Sequence, residues 1–432
     1  MSLRQNALIL ALLTAIIAVL GDWGGDLLLS GLWRLPAAAL LLGLAYEYWV
    51  VSRCGLSAAM EPPDRLLLGR GCPVRFTFRH ELRRSLDIEL APSAPDSFEV
   101  DAGTMRLRIP AGAPAVAEWS GCPSRLGLYS WPAPRARAAG PLRLAWWPNT
   151  LTGGREVRVL PDLFRSVREV KGLAARGDKA GPQAGASVEV MRLRDYRAGD
   201  PPRAVDWKAT ARAGRMISRD FAQDHRLQMV IAVDAGRASA LRAGALDRFG
   251  HYVNVAARLA QHAATQDDCV GLVLYADRPL AALAPARGVQ AVARLRAVLA
   301  AARVEGTESN PLYAATRVCS LVSHRSLIVM LTDVDDATAA SQLVRAVGLL
   351  LPKHLPFVAG LSSAAVEAMS SAPARHWLDP YRALAAQEYR IGLERKVRAL
   401  NALGAPALVA RPEQLEGAVF AAYEDFRRRR SA

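Results

Sequence analysis

The sequence is poor in the residues that build covalent and metal frameworks. Its five cysteines (Cys54, Cys72, Cys122, Cys269 and Cys319) are scattered, odd in number and never paired as C-x-x-C. That pattern excludes a disulfide scaffold or zinc ribbon as the organising principle and fits a reducing compartment. The seven histidines are equally dispersed and form no H-E-x-x-H, so a zinc hydrolase has no support. There is no G-x-x-x-x-G-K-[ST], and no G-x-G-x-x-G follows the first apolar strand, which argues against P-loop NTP hydrolysis and dinucleotide binding. Aromatic residues make up only 6% and do not interleave with the basic ones as base-stacking platforms would. Long apolar runs are confined to the first fifty or so residues.

What remains is ordinary globular material: 432 residues, 51% apolar and 22% charged, enough for two to three units that each bury a core. The mean hydropathy of +0.09 is high for such a chain. The excess lies at the front, in Ala7 to Leu20 (ALILALLTAIIAVL) and in Pro36 to Val51 (PAAALLLGLAYEYWVV), which only Glu47 interrupts. Extended by flanking residues, each run reaches bilayer-spanning length. Trp23, Trp33, Tyr46, Tyr48 and Trp49 sit at the ends, where amphipathic rings favour the headgroup layer. Arg4 followed by a 14-residue apolar run also resembles a signal peptide, but no A-x-A site follows and a second apolar run does. Residues 1–53 therefore read as a two-helix transmembrane hairpin. The loop holds Asp22, Asp26 and Arg34, whereas Arg4 and Arg53 flank the pair, so the positive-inside rule puts the N-terminus and everything after residue 53 in the cytoplasm.

Residues 54–164 change to short alternating segments, such as Val74 to Phe78, Leu86 to Leu90, Met105 to Ile109 and Val157 to Leu160. Period-two apolar patterning between Pro, Gly, Asp and Ser clusters predicts a small antiparallel β-sandwich. Residues 165–190, rich in Gly, Ala and charge, read as a linker or mobile loop. In 191–432, apolar strands at Gln228–Val233, Cys269–Tyr275, Ser326–Leu331, His354–Leu361 and Pro406–Ala410 alternate with helices at Arg248–Gln266, Val289–Ala302, Ala337–Leu351, Tyr381–Leu403 and Pro412–Arg428. The expectation is an α/β doubly wound, mostly parallel sheet with helices on both faces. Ligands of such sheets sit beyond the carboxyl ends of strands, where Asp234 and Asp333 fall.

The most distinctive stretch runs from Leu193 to Arg212, LRDYRAGDPPRAVDWKATAR, and on to Arg219-Asp220-Phe221. It resembles the signature L-R-x-Y-x-x-G-D-x-x-R-x-I-D-W-K-x-x-A-R of the bacterial domain-of-unknown-function family 58, with Val205 in place of Ile. The order of parts is also similar: membrane hairpin, β-rich segment, signature, von Willebrand factor A-like domain. The resemblance implies a protein of the bacterial inner membrane with no settled activity, whose relatives pair with MoxR-type AAA+ ATPases and are thought to act on client proteins.

On its own chemistry the signature packs Arg192, Arg194, Arg197, Arg203, Lys208, Arg212, Arg215 and Arg219 against Asp195, Asp200, Asp206 and Asp220. Such a mixture forms either a local ion-pair network or a docking surface with bidentate arginines. The partner-binding candidates are Arg194, Tyr196, Gly199, Asp200, Arg203, Asp206, Trp207, Lys208 and Arg212, with Tyr196 and Trp207 as buried anchors of either arrangement.

Von Willebrand A domains often hold Mg²⁺ through D-x-S-x-S, a Thr and a further Asp. Here the first loop reads Asp234-Ala235-Gly236-Arg237-Ala238-Ser239, so Gly236 and Ala238 replace both serines. Asp234, Thr307 and Asp333 remain as a degenerate site, and Arg237 adds positive charge. A hard cation that demands regular oxygen coordination is disfavoured, and no cofactor is expected.

The expected function is thus non-enzymatic: a membrane-anchored interaction scaffold or adaptor, with a MoxR-type AAA+ ATPase, membrane lipid and further client proteins as partners. The net charge of +15 and the run Arg427 to Arg430 raise the alternative of a nucleic-acid- or anionic-lipid-binding protein. Lipid explains a basic tail beside a membrane better, and no nucleic acid is expected. Acid–base catalysis by Asp234 and Asp333 lacks an accompanying nucleophile or oxyanion device.

Overall fold

The computed structural model describes residues 2–23, 31–61, 66–100, 103–151, 154–163, 190–197, 200, 202–221, 226–334 and 337–431. All of the expected linker but Val190, together with Gly199, Asp335 and Asp336, lies outside the described residues. The chain divides into two units, Met1–Asp162 and Leu163–Ala432.

The first unit opens with β1 (Ser2–Leu3), α1 (Gln5–Trp23) and α2 (Arg34–Ser52). Leu and Ala dominate both helices, which suits them to the conformation. Among the described residues, α2 is the one helix long and apolar enough to cross a bilayer, and Gln5–Leu20 forms a shorter apolar helix. Strands β2 (Ser57–Glu61), β3 (Leu66–Leu67), β4 (Cys72–Arg79), β5 (Leu86–Ala91), β6 (Phe98–Val100), β7 (Met105–Ile109), β8 (Ala115–Pro123), β9 (Gly127–Trp131), β10 (Arg135–Ala139), β11 (Ala145–Asn149) and β12 (Arg155–Leu160) follow. They form sheets ordered β2-β4-β8-β6, β1-β11-β10-β5-β7 and β3-β12-β9. Period-two patterning decides the faces: Val74, Phe76 and Phe78 are buried, and the Phe76 ring meets Trp119 edge-on at 4.7 Å between centroids.

Glu47, the lone acid of the second apolar run, is the joint between α2 and this unit's sheet. It is fully buried; one carboxylate oxygen accepts the Leu144 N–H at 3.0 Å, and the other accepts the Ala145 N–H at 3.1 Å and the Trp147 indole N–H at 3.3 Å. Gly140 leaves it room, since a Cβ there would lie 2.2 Å from the Glu47 carboxyl carbon. Strand β1, immediately before α1, pairs with the same β11 (Ser2 with Trp146, Leu3 with Ala145). The start of α1 and the end of α2 therefore meet one hairpin, β10–β11.

The second unit begins with a two-stranded ribbon, β13 (Val190–Asp195) and β14 (Ile217–Phe221), that encloses the short helix α3 (Trp207–Ala213). Then come β15 (Gln228–Asp234), the small pair β16 (Arg242–Ala243) and β17 (Leu246–Asp247), α4 (Arg248–Thr265), β18 (Cys269–Tyr275), β19 (Pro279–Ala286), α5 (Gly288–Ala301) and α6 (Pro311–Leu321). The chain ends with β20 (Leu327–Leu331), α7 (Ala337–Leu350), β21 (Leu355–Leu361), α8 (Ala364–Ser371), α9 (Asp379–Ala402), β22 (Ala407–Ala410) and α10 (Pro412–Ser431). The six-stranded sheet is ordered β19-β18-β15-β20-β21-β22, parallel except for the antiparallel edge β19. The strand order reverses at β15, so the switch-point crevice opens beside its carboxyl end. Val230 and Ala232 pack with α6, α7 and α9, while Met229, Ile231 and Val233, equally buried, alternate to the other side, where α4 contacts β15.

The C-terminal helix is fastened to the entrance of β15. Buried Asp268 accepts the Leu227 N–H at 2.8 Å through one oxygen and the Tyr423 hydroxyl through the other, with the Arg427 guanidinium 3.6 Å away. Burial and the neighbouring Asp268 carboxylate push the Tyr423 phenol far up. His262 of α4 meets Glu424 at 2.6 Å. The basic tail is thus partly engaged: Arg427 also donates to Gln266 at 2.6 Å, and Arg428 and Arg429 lie 3.9 and 2.8 Å from Asp425.

Candidate functional site

The switch-point rim is built around Asp234, the last residue of β15, which is almost fully buried. Its Oδ1 accepts the Gly236 N–H at 2.8 Å and the Ser309 hydroxyl at 2.5 Å, and its Oδ2 accepts the Thr332 hydroxyl at 2.6 Å. Ser239 turns to the Asp234 main-chain carbonyl instead, at 3.0 Å. Burial pushes the Asp234 carboxyl up, against the pull of its three donors, and drives the adjacent, fully buried Tyr275 phenol well up. Gly236 has an extended backbone, so space rather than conformation demands glycine: a Cβ would lie 2.1 Å from the Ser309 hydroxyl. Ser309 thus occupies the room that a side chain at position 236 would need.

Asp333, one residue beyond Thr332, forms a buried ion pair with Arg248, the first residue of α4. Thr307 is not brought to Asp234; its hydroxyl donates to Asp277 at 3.2 Å, and its carbonyl accepts the Arg237 N–H at 2.8 Å. Arg237 itself pairs with Glu308 at the surface. Among the described residues no group of three or more His, Cys, Asp or Glu is arranged to hold a metal. The donor set does not suit Mg²⁺: one carboxylate already accepts three hydrogen bonds, the other is neutralised by a guanidinium, and the two hydroxyls spend their protons on Asp234. Ser309, Thr332 and Arg248 are the rim residues that sequence reasoning missed. Ser309 and Thr332 stand within two residues of Thr307 and Asp333, but only the fold brings them to Asp234.

The signature folds into the β13–β14 ribbon with α3 at its tip, and Arg194, Arg215, Arg219, Asp195, Asp200 and Asp206 pair within it. Arg194 makes a two-pronged pair with Asp200, both bonds at 2.8 Å, and Asp200 also accepts the Arg197 N–H at 2.9 Å. Tyr196 donates its hydroxyl to the Asp200 carbonyl at 3.0 Å. Asp206 caps α3 by accepting the Lys208 and Ala209 N–H groups, while its other oxygen takes Arg219 at 2.9 Å. These contacts hold both carboxyls down: Asp200 falls to about 2 through Arg194 and the Arg197 amide, and Asp206 to about 2 through Arg219 and the helix amides.

The cap dictates where Trp207 goes. As the first helical residue after Asp206 it projects outward and is 67% exposed, with Lys208 and Arg212 exposed on the same helix. Trp207 is therefore not the buried anchor expected of it, and Tyr196 is half-buried. Leu193 and Met216 are exposed as well. Arg203 lies in a short 3-10 turn, Pro202–Ala204.

The sequence profile described as "Protein of unknown function DUF58" matches residues 192–351, from the ribbon through α7. Residues 192–351 are a DUF58 region. The match thus embraces both the signature ribbon and the Asp234 rim. No curated protein matches the chain. Among solved structures it is similar to the conserved hypothetical protein BatB from Bacteroides thetaiotaomicron, at 15% identity and a TM-score of 0.26, over 31% of this chain and 66% of that one. It thus spans just under two thirds of the BatB chain. It is also similar to the CARDB domain of PF1109 from Pyrococcus furiosus, solved as a crystal with di-metal ions (11% identity, 24% of this chain, 91% of that chain, TM-score 0.17). The solution structure of that domain gives 10%, 24%, 94% and 0.16. At these TM-scores none of the likenesses defines the fold.

Proposed function

We propose that this protein is a membrane-anchored interaction adaptor, without catalytic activity of its own, that works with a MoxR-type AAA+ ATPase on client proteins. The observation that carries the reading is Trp207. A large aromatic held 67% exposed by its own helix cap, on a ribbon whose Asp195, Asp200 and Asp206 are already paired, is a side chain presented to a partner. The strand order with one antiparallel edge supports a von Willebrand factor A-like domain beneath it. Its rim carboxylates are spent on internal bonds, which favours interaction over hydrolysis or metal-borne recognition.

The anchor is a two-helix transmembrane hairpin in the bacterial inner membrane, with the N-terminus and everything after residue 53 in the cytoplasm. The docking of the α1 start and the α2 end on one β-hairpin supports that topology, and the free thiols agree with it. The nucleic-acid reading has less support, since Arg427, Arg428 and Arg429 already meet Asp268, Gln266 and Asp425.

The test is co-purification of the full chain, extracted in mild detergent, with a MoxR-type ATPase from the same cells. Trp207→Ala is expected to weaken the pairing by about 2 kcal/mol, about 30-fold in affinity, without unfolding the chain. Undiminished capture by both Trp207→Ala and Lys208→Glu removes this surface from consideration, and absence of any ATPase from the wild-type complex removes the partner.

A further inference from the structure

We infer that the first unit carries a binding site for the phosphate of an anionic phospholipid, set where α2 meets its sheet. The inference rests on the reading of α2 as membrane-spanning. A cavity of about 180 Å³ lies against the last turn of α2, whose Val50 and Val51 form one wall. Arg84, Arg108 and Arg143 line it, with Asp87 as the one carboxylate among its lining residues. Arg143 lies 3.1 Å from Asp87 and Arg108 3.6 Å, while Arg84 donates to the Tyr46 hydroxyl and Arg108 to Ser85, both neutral. The cavity thus sets three guanidinium groups against one carboxylate, which meets Arg108 and Arg143, and their remaining N–H groups suit a phosphate.

The position selects the ligand. Around the same hairpin, Arg4 and Arg106 stack over Trp146 at 4.7 and 5.9 Å, Arg53 over Trp49 at 4.5 Å, and Tyr48 packs on Trp147 at 5.4 Å. Such an arginine and aromatic collar at the end of an apolar helix marks the headgroup layer of the leaflet rich in anionic lipid. Glu47 fixes α2 against the hairpin, so the apolar wall and the arginine wall keep their spacing. A free phosphate or nucleotide would have no use for the apolar wall.

The test uses the full chain in a neutral detergent, followed by thermal unfolding during titration with phosphatidylglycerol, phosphatidylcholine or inorganic phosphate. Phosphatidylglycerol is expected to raise the melting temperature saturably, and the other two probes to leave it unchanged. Arg84→Gln with Arg143→Gln is expected to weaken the apparent affinity by about tenfold or more, and Arg345→Gln in the second unit to leave it alone. Should the glutamine pair disturb folding, Arg84→Lys with Arg143→Lys keeps charge, loses the forks and is expected to give an intermediate loss. An unchanged phosphatidylglycerol response in both pairs, an equal response to phosphatidylcholine, or an equal response to inorganic phosphate overturns the site. Alkaline carbonate washing separates the underlying assumption. Release of the chain from membranes refutes the anchor and the site together, whereas retention without lipid selectivity refutes the site alone.

Discussion

Replacing Arg248 by Met tests whether the switch-point rim is held by an internal ion pair. Arg248 and Asp333 are about 95% buried, so removing the cation leaves a carboxylate in an apolar setting one residue from Thr332 and close to Asp234. Breaking a buried pair in this way costs about 3–5 kcal/mol, because the survivor loses its partner without regaining water. For a unit of this size each kcal/mol shifts the melting temperature by about 2–4 °C, so Arg248→Met is expected to lower it by about 10 °C. The double variant Arg248→Met with Asp333→Leu removes both charges and is expected to recover most of that loss. The assay is thermal unfolding of the full chain, with hydrogen exchange at the amides of β15 and β20 to localise the change. Exchange there should accelerate in Arg248→Met and return toward wild type in the double variant. A single variant within about 0.5 kcal/mol of wild type, or a double variant no better than the single, refutes the reasoning.

Other consequences follow the same logic. Gly236→Ser should destabilise by about 1–3 kcal/mol through collision with Ser309, and adding Ser309→Gly should recover much of it, as melting curves of the two variants will tell. Glu47→Ala strands two buried amides and an indole, and is expected to cost about 3 kcal/mol or more in denaturant titrations of the detergent-solubilised chain. Asp200 and Asp206 titrate lower folded than unfolded, so their stabilising contribution is complete above about pH 4 and fades as the pH falls toward 2. Exchange protection of the Arg197, Lys208 and Ala209 amides should therefore hold at pH 5 and fail between about pH 4 and 2; loss already at pH 5 contradicts the pairing. Millimolar Mg²⁺ should leave the melting temperature unmoved, and a rise abolished by Asp234→Asn would show that the rim holds the ion after all.

The legible parts of this chain are those whose signal is local. The runs at Gln228–Val233, Cys269–Tyr275 and Ser326–Leu331 announce doubly buried parallel strands, and the structure places strands there within a residue or so. β19 escaped notice because PLAALAPA reads as a loop; its two prolines are tolerable only on the sheet edge that it occupies. α6 was missed as well, although Asn310 as cap and Pro311 in the first turn are the usual marks of a helix start. The von Willebrand A metal-site pattern pointed to Thr307 as a neighbour of Asp234, yet Ser309 sits there, because which hydroxyl of a loop faces a strand end depends on the path of the loop in space. In the signature, the charge mixture foretold an ion-pair network, but not that capping by Asp206 would turn Trp207 outward. Glu47 looked like a blemish in an apolar helix, and nothing within that helix reveals the backbone amides a hundred residues away that need it.

The fastening of α10 to the head of β15 bears on how the chain is made. Leu227 stands at the entrance to the central strand, and its amide is held by Asp268, which in turn is held by Tyr423 of α10, almost two hundred residues after Leu227. A ribosome delivers β15 long before it delivers Tyr423. The nascent α/β unit must therefore wait with its middle strand in place and one flank uncovered, and it closes only once α10 has been made. A premature stop before Tyr423 would release a chain that has every strand of its sheet and no means of sealing it.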